Sequence, residues 1–180
     1  MKKQNPLTPK LITVVCFLLF ALYGTAQQTS KLTDPEVASA AVTANQIDIE
    51  FAAIAFQHSQ NKEVLNFAKT MSNDHKAVIA QAVALVTKLK VTPKTNYLTQ
   101  SLLADAEKTK KRLQSNKGEA FDKAYIDNEV AYHKAVIAAV ETVLIPQTAN
   151  SELKTLLQNV VPALKAHLAH AEMVQKMIHK

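Results

Sequence analysis

The sequence predicts an all-α fold, a four-helix bundle with a short crossover helix behind a signal peptide, and three observations carry that prediction. Glycine occurs only twice in 180 residues and tryptophan not at all, so the chain nearly lacks the residue that permits sharp β-turns. Four long stretches repeat apolar residues in alternating steps of three and four, the period of a bundle seam. A shorter, polar stretch lies between the second and third of them, where a crossover connection belongs. No strand or hairpin pattern competes.

The first segment reads as an export signal. Lys2, Lys3 and Lys10 give a positive start, and Leu11 to Leu22 is an uncharged apolar stretch, broken only by Thr13, too short to span a bilayer comfortably. Gly24 and Ala26 sit at the spacing that signal peptidase reads, which predicts a signal peptide over 1–26 cleaved before Gln27; the alternative is an uncleaved anchor. Cys16 lies inside the apolar stretch rather than after it, which argues against a lipidated cysteine. Beyond residue 26 the chain has no cysteine, so neither a disulfide nor a thiolate ligand is available. Core packing must hold the domain together, and 48% hydrophobic residues suffice for it.

Three lysines of the signal contribute to the formal net charge of +6, leaving +3 for the remainder. Lys108, Lys110, Lys111 and Arg112 form the one dense basic cluster, without the interleaved aromatics that single-stranded nucleic acid would stack on. It reads as a solvated helix end, and no nucleic-acid partner is expected.

Residues 27–33 read as a flexible leader, and 34–180 as the bundle domain. Asp34 is placed to cap the first helix and Pro35 to sit in its first turn; the apolar pattern then runs from Val37 to about Gln60. Asn61 caps a second helix over about 62–90. Thr92 and Pro93 break the pattern before the crossover helix, Tyr97 to about Gln114, whose apolar stripe is Leu98, Leu102, Leu103 and Ala106. A long helix from Glu119 to about Leu144 is stopped by Pro146. Ser151 caps the last helix, which continues through Pro162 to the C-terminus. Four long helices and one crossover make the count of a ferritin-like bundle.

The seams carry the functional signal. In the first helix the series 37, 41, 44, 48, 51, 55 is apolar except at Asp48. In the second, 64, 67, 71, 75, 78, 82, 85, 89 is interrupted only by His75. The helix beginning at Glu119 has His133 in the series 126 to 144, and the last has His167 in the series 153 to 178. Counting from the helix ends puts all four near mid-height of their helices, at about 1.5 Å per residue. Three imidazoles and a carboxylate converging in a dry bundle are a first shell for one divalent transition metal, Fe, Zn or Cu. Asp74, and Glu129 one turn before His133, are additional ligands or acceptors for the imidazole N–H groups. The bland alternative is a buried polar network that fixes helix register.

His58, His170 and His179 fall outside the best seams, and Tyr97, Tyr125 and Tyr132 read as packing residues. No nucleophile elbow, phosphate-binding glycine loop or zinc-protease helix motif is present, which argues against an ordinary hydrolase or nucleotide enzyme.

Val64-Leu65-Asn66-Phe67-Ala68 leading to Met71-Ser72-Asn73-Asp74-His75, then Phe121-Asp122 with Tyr125 and His133, then Val161-Pro162-Ala163-Leu164 and His167-Leu168, resemble the domain-of-unknown-function 4142 family over about residues 34–175. The resemblance implies an exported bacterial ferritin-like bundle, located in the periplasm or at the outer membrane, and implies no established activity. Where that family often has glutamate in the first helix, this chain places Asp48. Ser72 and Leu164, three residues before His75 and His167, leave the Glu-x-x-His pairs of di-iron ferritins absent, which favours a mononuclear site. Three readings follow: an envelope metal-binding bundle, a non-enzymatic envelope stress or interaction protein with a structural polar layer, and a bundle that holds a small apolar ligand or lipid between its helices.

Overall fold

The structure, a computed structural model, describes residues 31–180. The expected signal peptide, 1–26, lies outside the described residues. Of the leader, Leu32 is 3% exposed and its N–H donates to Gln147 Oε1 at 2.6 Å.

Thr33 rather than Asp34 caps helix α1 (Asp34–His58): its N–H and Oγ1 both donate to Glu36 Oε2, three residues on, with Pro35 in the first turn. Asp34 has other work, because its carboxylate accepts from the backbone N–H groups of Ala149 and Asn150 at 2.8 and 3.0 Å. Asn61 caps α2 (Lys62–Lys88) as its sequence position predicts, accepting from Glu63 and Val64. Asn96 caps α3 (Tyr97–Gln114) in the same way.

Helix α4 (Gly118–Ala139) starts at Gly118, whose φ of +56° is in the left-handed region that favours glycine. Pro146 does not stop the chain at Leu144. A π turn (Val140–Leu144) carries it into a single further turn, α5 (Ile145–Gln147), with the Ile145 N–H bonded to Val140 O. Proline has no N–H to give to the preceding turn and its ring crowds the carbonyl four residues back, so the helix widens where a regular α turn would clash. The last helix, α6 (Ser151–Ile178), is capped by Asn150 rather than Ser151, and Pro162 lies within it.

The tethers define the path. α1 and α2 form an antiparallel hairpin across residues 59–61. Lys94 N–H to Pro35 O (3.0 Å) and Asn96 Nδ2 to Glu36 O (2.8 Å) start α3 beside the beginning of α1, and the Lys110–Glu50 ion pair (2.9 Å) lies farther along both. Ser59 Oγ donates to Asp122 Oδ1 at 2.5 Å, so α4 starts beside the end of α1. α6 returns to pack on α4, and Asp34 ties its start to that of α1. The polar α3 is thus the crossover between two hairpins.

That crossover is docked more firmly than its composition suggests. Leu103 is 49% exposed, whereas Leu113 is fully buried and, with Thr99 and Ala106, continues a stripe at sevenfold spacing. The basic cluster nearby is largely partnered: Lys108 with Asp105, Lys110 with Glu50 and Glu107, and Arg112 with Asn128 Oδ1.

The buried apolar residues form two clusters along the bundle. One contains Phe51, Phe67, Met71, Phe121, Tyr125 and Val174; the other contains Val37, Val86, Ile137, Leu144, Leu157 and Leu164. On α2, α4 and α6 the residue that breaks the seam lies between the two, and on α1 Asp48 lies at the edge of the first, beside Ile47. No described helix is long and apolar enough to cross a membrane.

Candidate metal centre

Each long helix delivers one side chain to the layer between the clusters. Asp48 comes from α1, His75 from α2, His133 from α4 and His167 from α6, and all four are buried. The ring centroids lie 5.8 Å apart for His75–His133, 5.2 Å for His75–His167 and 5.6 Å for His133–His167. One ring nitrogen of each falls within 4.8 Å of the others. Asp48 Oδ2 is 3.3 Å from His75 Nε2 and 3.5 Å from His133 Nε2.

Each imidazole is held from behind. His75 Nδ1 lies 2.7 Å from Asn45 Oδ1, and Asn45 Nδ2 in turn donates to Ala41 O at 2.8 Å, which fixes the amide with its oxygen toward the ring. His133 Nδ1 lies 3.0 Å from the carbonyl oxygen of Glu129, and His167 Nε2 lies 2.9 Å from Asp74 Oδ2. Carbonyl and carboxylate oxygens only accept, so the nitrogens facing them carry the protons. A neutral ring then has its lone pair on the other nitrogen: Nε2 of His75, Nε2 of His133 and Nδ1 of His167.

Those three nitrogens, and both oxygens of Asp48, are buried without a hydrogen-bond partner. The ion-pair distances to Asp48 are short, but no ring N–H is aligned on the carboxylate. Protein interiors rarely leave so many polar atoms unpaired together, and outer N–H groups held by acceptors with inner lone pairs converging is how metal-binding histidines are arranged. Burial also pulls His133 and His167 below the ordinary imidazole value, against the opposing pull of Asp48 on the first and Asp74 on the second, so both rings favour the neutral donor form.

Glu129 adds a second carboxylate at the edge of the layer. It is fully buried, its Oε2 is 3.6 Å from His133 Nδ1, and with Asp48 and His133 it makes a second group of closely spaced donor atoms. Burial first, and then the charge of Asp48, push its carboxyl well above the ordinary range, so it is held as the neutral acid. Burial likewise pushes the hydroxyls of Tyr125 and Tyr132 up; Tyr132 packs edge-on against His133 and donates to Ala44 O at 2.8 Å.

Asn45 is the member that the seam pattern passes over. It lies three residues before Asp48 on α1, so helical spacing turned toward the same layer was the available signal. The remaining histidines lie elsewhere: His58 stacks on Phe121, His170 packs edge-on against Phe67, and His179 pairs with Asp127.

The model of the family described as a domain of unknown function, DUF4142, matches residues 21–174. The chain belongs to the DUF4142 family. In this DUF4142 chain all four layer residues and Asn45, Asp74 and Glu129 fall within the matched span, and the adjacent Asp74 and His75 divide their labour. His75 turns into the layer while Asp74 reaches across to hold His167. Comparison with curated proteins and with solved structures gives no match.

Proposed function

We propose that this protein is an exported, metal-binding bundle that holds one divalent transition-metal ion with Asp48, His75, His133 and His167. The observation that carries the reading is the set of five inward donor atoms without hydrogen-bond partners, three of them on rings whose outer nitrogens are already engaged. Three neutral imidazoles and one carboxylate suit Zn, Fe or Cu, and a bound ion supplies the positive charge that both Asp48 oxygens lack. Asn45, the Glu129 carbonyl and Asp74 orient the rings. The N-terminal segment supports export, with the periplasm or the outer-membrane surface as the destination.

The competing reading is a structural network in which Asp48 pairs with the histidines. It requires N–H groups directed at Asp48 from Nε2 of His75 and His133, whose Nδ1 atoms already need protons of their own. Imidazolium rings would satisfy both sides, but burial opposes that charge at His133.

Elemental analysis of protein purified without chelator, set against a His75→Ala/His133→Ala double variant, separates the two. The metal reading expects about one equivalent in the first and little in the second. Negligible metal in both, after incubation with Zn(II), Fe(II) and Cu(II) in turn, refutes it.

A further inference from the structure

A cavity of about 530 Å³ lies against the layer, on the side of the apolar cluster containing Val37 and Leu164. Asp48 and the three histidines line one end; Ala38, Val86, Leu144 and Leu153 line the other. The space exists because α1 presents Ala38, Ala41 and Ala44 where larger side chains would close it. From Ala38 to Asp48 the helix rises about 15 Å. Away from the layer and the residues that touch it, the polar lining consists of Gln81, Asp105 and Thr109. The first two are exposed and Thr109 is half-buried, so the cavity opens toward solvent there and is apolar within.

Close-packed interiors do not leave a void of this size without cause, and an elongated apolar cavity with polar groups at one end is the form of a ligand site. The end group is set by charge. A divalent ion with Asp48 and three neutral imidazoles leaves one positive charge within the layer, because Asp74, the carboxylate behind His167, is half exposed and solvated; a monoanion at the metal neutralises that charge.

We propose that the cavity takes an unbranched monocarboxylate of about twelve carbons, a length matched to the ~15 Å rise, with its chain along the alanine face of α1 and its carboxylate at the metal. This rests on the metal reading above. The carboxylate becomes a fifth ligand, a number that zinc accepts.

The test uses the purified protein in Zn(II)-loaded and EDTA-stripped forms, with zinc measured in each before titration. Isothermal titration with dodecanoate, octanoate and dodecan-1-ol then reads the inference. The loaded protein is expected to bind dodecanoate at least tenfold more tightly than the stripped protein or than the alcohol, and affinity to rise roughly fourfold per methylene from octanoate to dodecanoate. Ala38→Phe, with Ala139→Leu as a second obstruction should the first not fold, is expected to abolish dodecanoate binding and leave zinc content unchanged. Failure to retain zinc overturns the metal reading and this one with it. Normal zinc with equal binding of acid and alcohol, equal binding to loaded and stripped protein, or undiminished binding in the obstructed variants, overturns this inference alone.

Discussion

Asn45 Oδ1 accepts a hydrogen bond from His75 Nδ1 at 2.7 Å, and this contact decides which nitrogen of His75 faces the other three helices. Because the Asn45 amide is anchored to Ala41 O, its oxygen cannot be exchanged for its nitrogen without losing a bond. One polar residue on α1 thereby sets the tautomer of a ring on α2.

Removing that anchor should weaken metal binding without removing a ligand. Asn45→Ala is expected to lower Zn(II) affinity by about 10- to 100-fold, the usual effect of losing a partner behind a metal-binding histidine, as read by competition with a chromophoric chelator. Asn45→Asp, which keeps an acceptor, should retain most of the affinity. Equal affinity in wild type and Asn45→Ala would place His75 outside the binding set.

The pH dependence of the metal-free protein follows from the directions of the shifts. His133 and His167 are held below 6.5, so the unfolded chain takes up protons first as pH falls. Their contribution to stability is therefore present above pH 6.5 and is lost as pH drops through their folded values. Glu129 is raised above 4.5, so the folded chain keeps a proton that the unfolded chain releases. Stability tied to Glu129 is complete below pH 4.5 and declines as pH rises through its folded value. Glu129→Gln should accordingly melt at a higher temperature than wild type at pH 8, with the difference shrinking toward pH 4.5. A thermal scan showing a difference that is constant with pH would contradict the assignment of Glu129 as a buried neutral acid.

The crossover helix offers a test of the fold itself. Leu113 is fully buried although α3 is more polar than the four long helices. Leu113→Ala should cost about 2–5 kcal/mol in urea unfolding, whereas Leu103→Ala, on the exposed face, should cost within about 0.5 kcal/mol. Equal effects would mean that α3 is not docked by that stripe.

The four layer residues were legible because a seam reports its exceptions: where every third or fourth residue is apolar, Asp48, His75, His133 and His167 stand out. The start of α3 could also be read, since Thr92 and Pro93 break the apolar pattern just before it. The choice between neighbouring residues of similar type, and the outcome of local packing, were harder to read. Asp34 and Ser151 both suit a cap by type, but Thr33 has Glu36 three residues on, and Asn150 reaches Glu152 and Leu153 from the preceding position. Pro146 announces a break, yet whether the chain stops or widens into a π turn depends on local packing that no periodicity encodes. Asn45 escaped because its role is to fix another residue's proton, and spacing alone does not distinguish that from a solvated amide.

The most direct test of the central claim is long-range ¹H–¹⁵N NMR of the histidine rings during titration with Zn(II). The account predicts that three of the six histidines respond at one equivalent, with zinc on Nε2 of His75 and His133 and on Nδ1 of His167, while His58, His170 and His179 keep their spectra. Rings that do not respond, or coordination confined to those three outlying histidines, would contradict it.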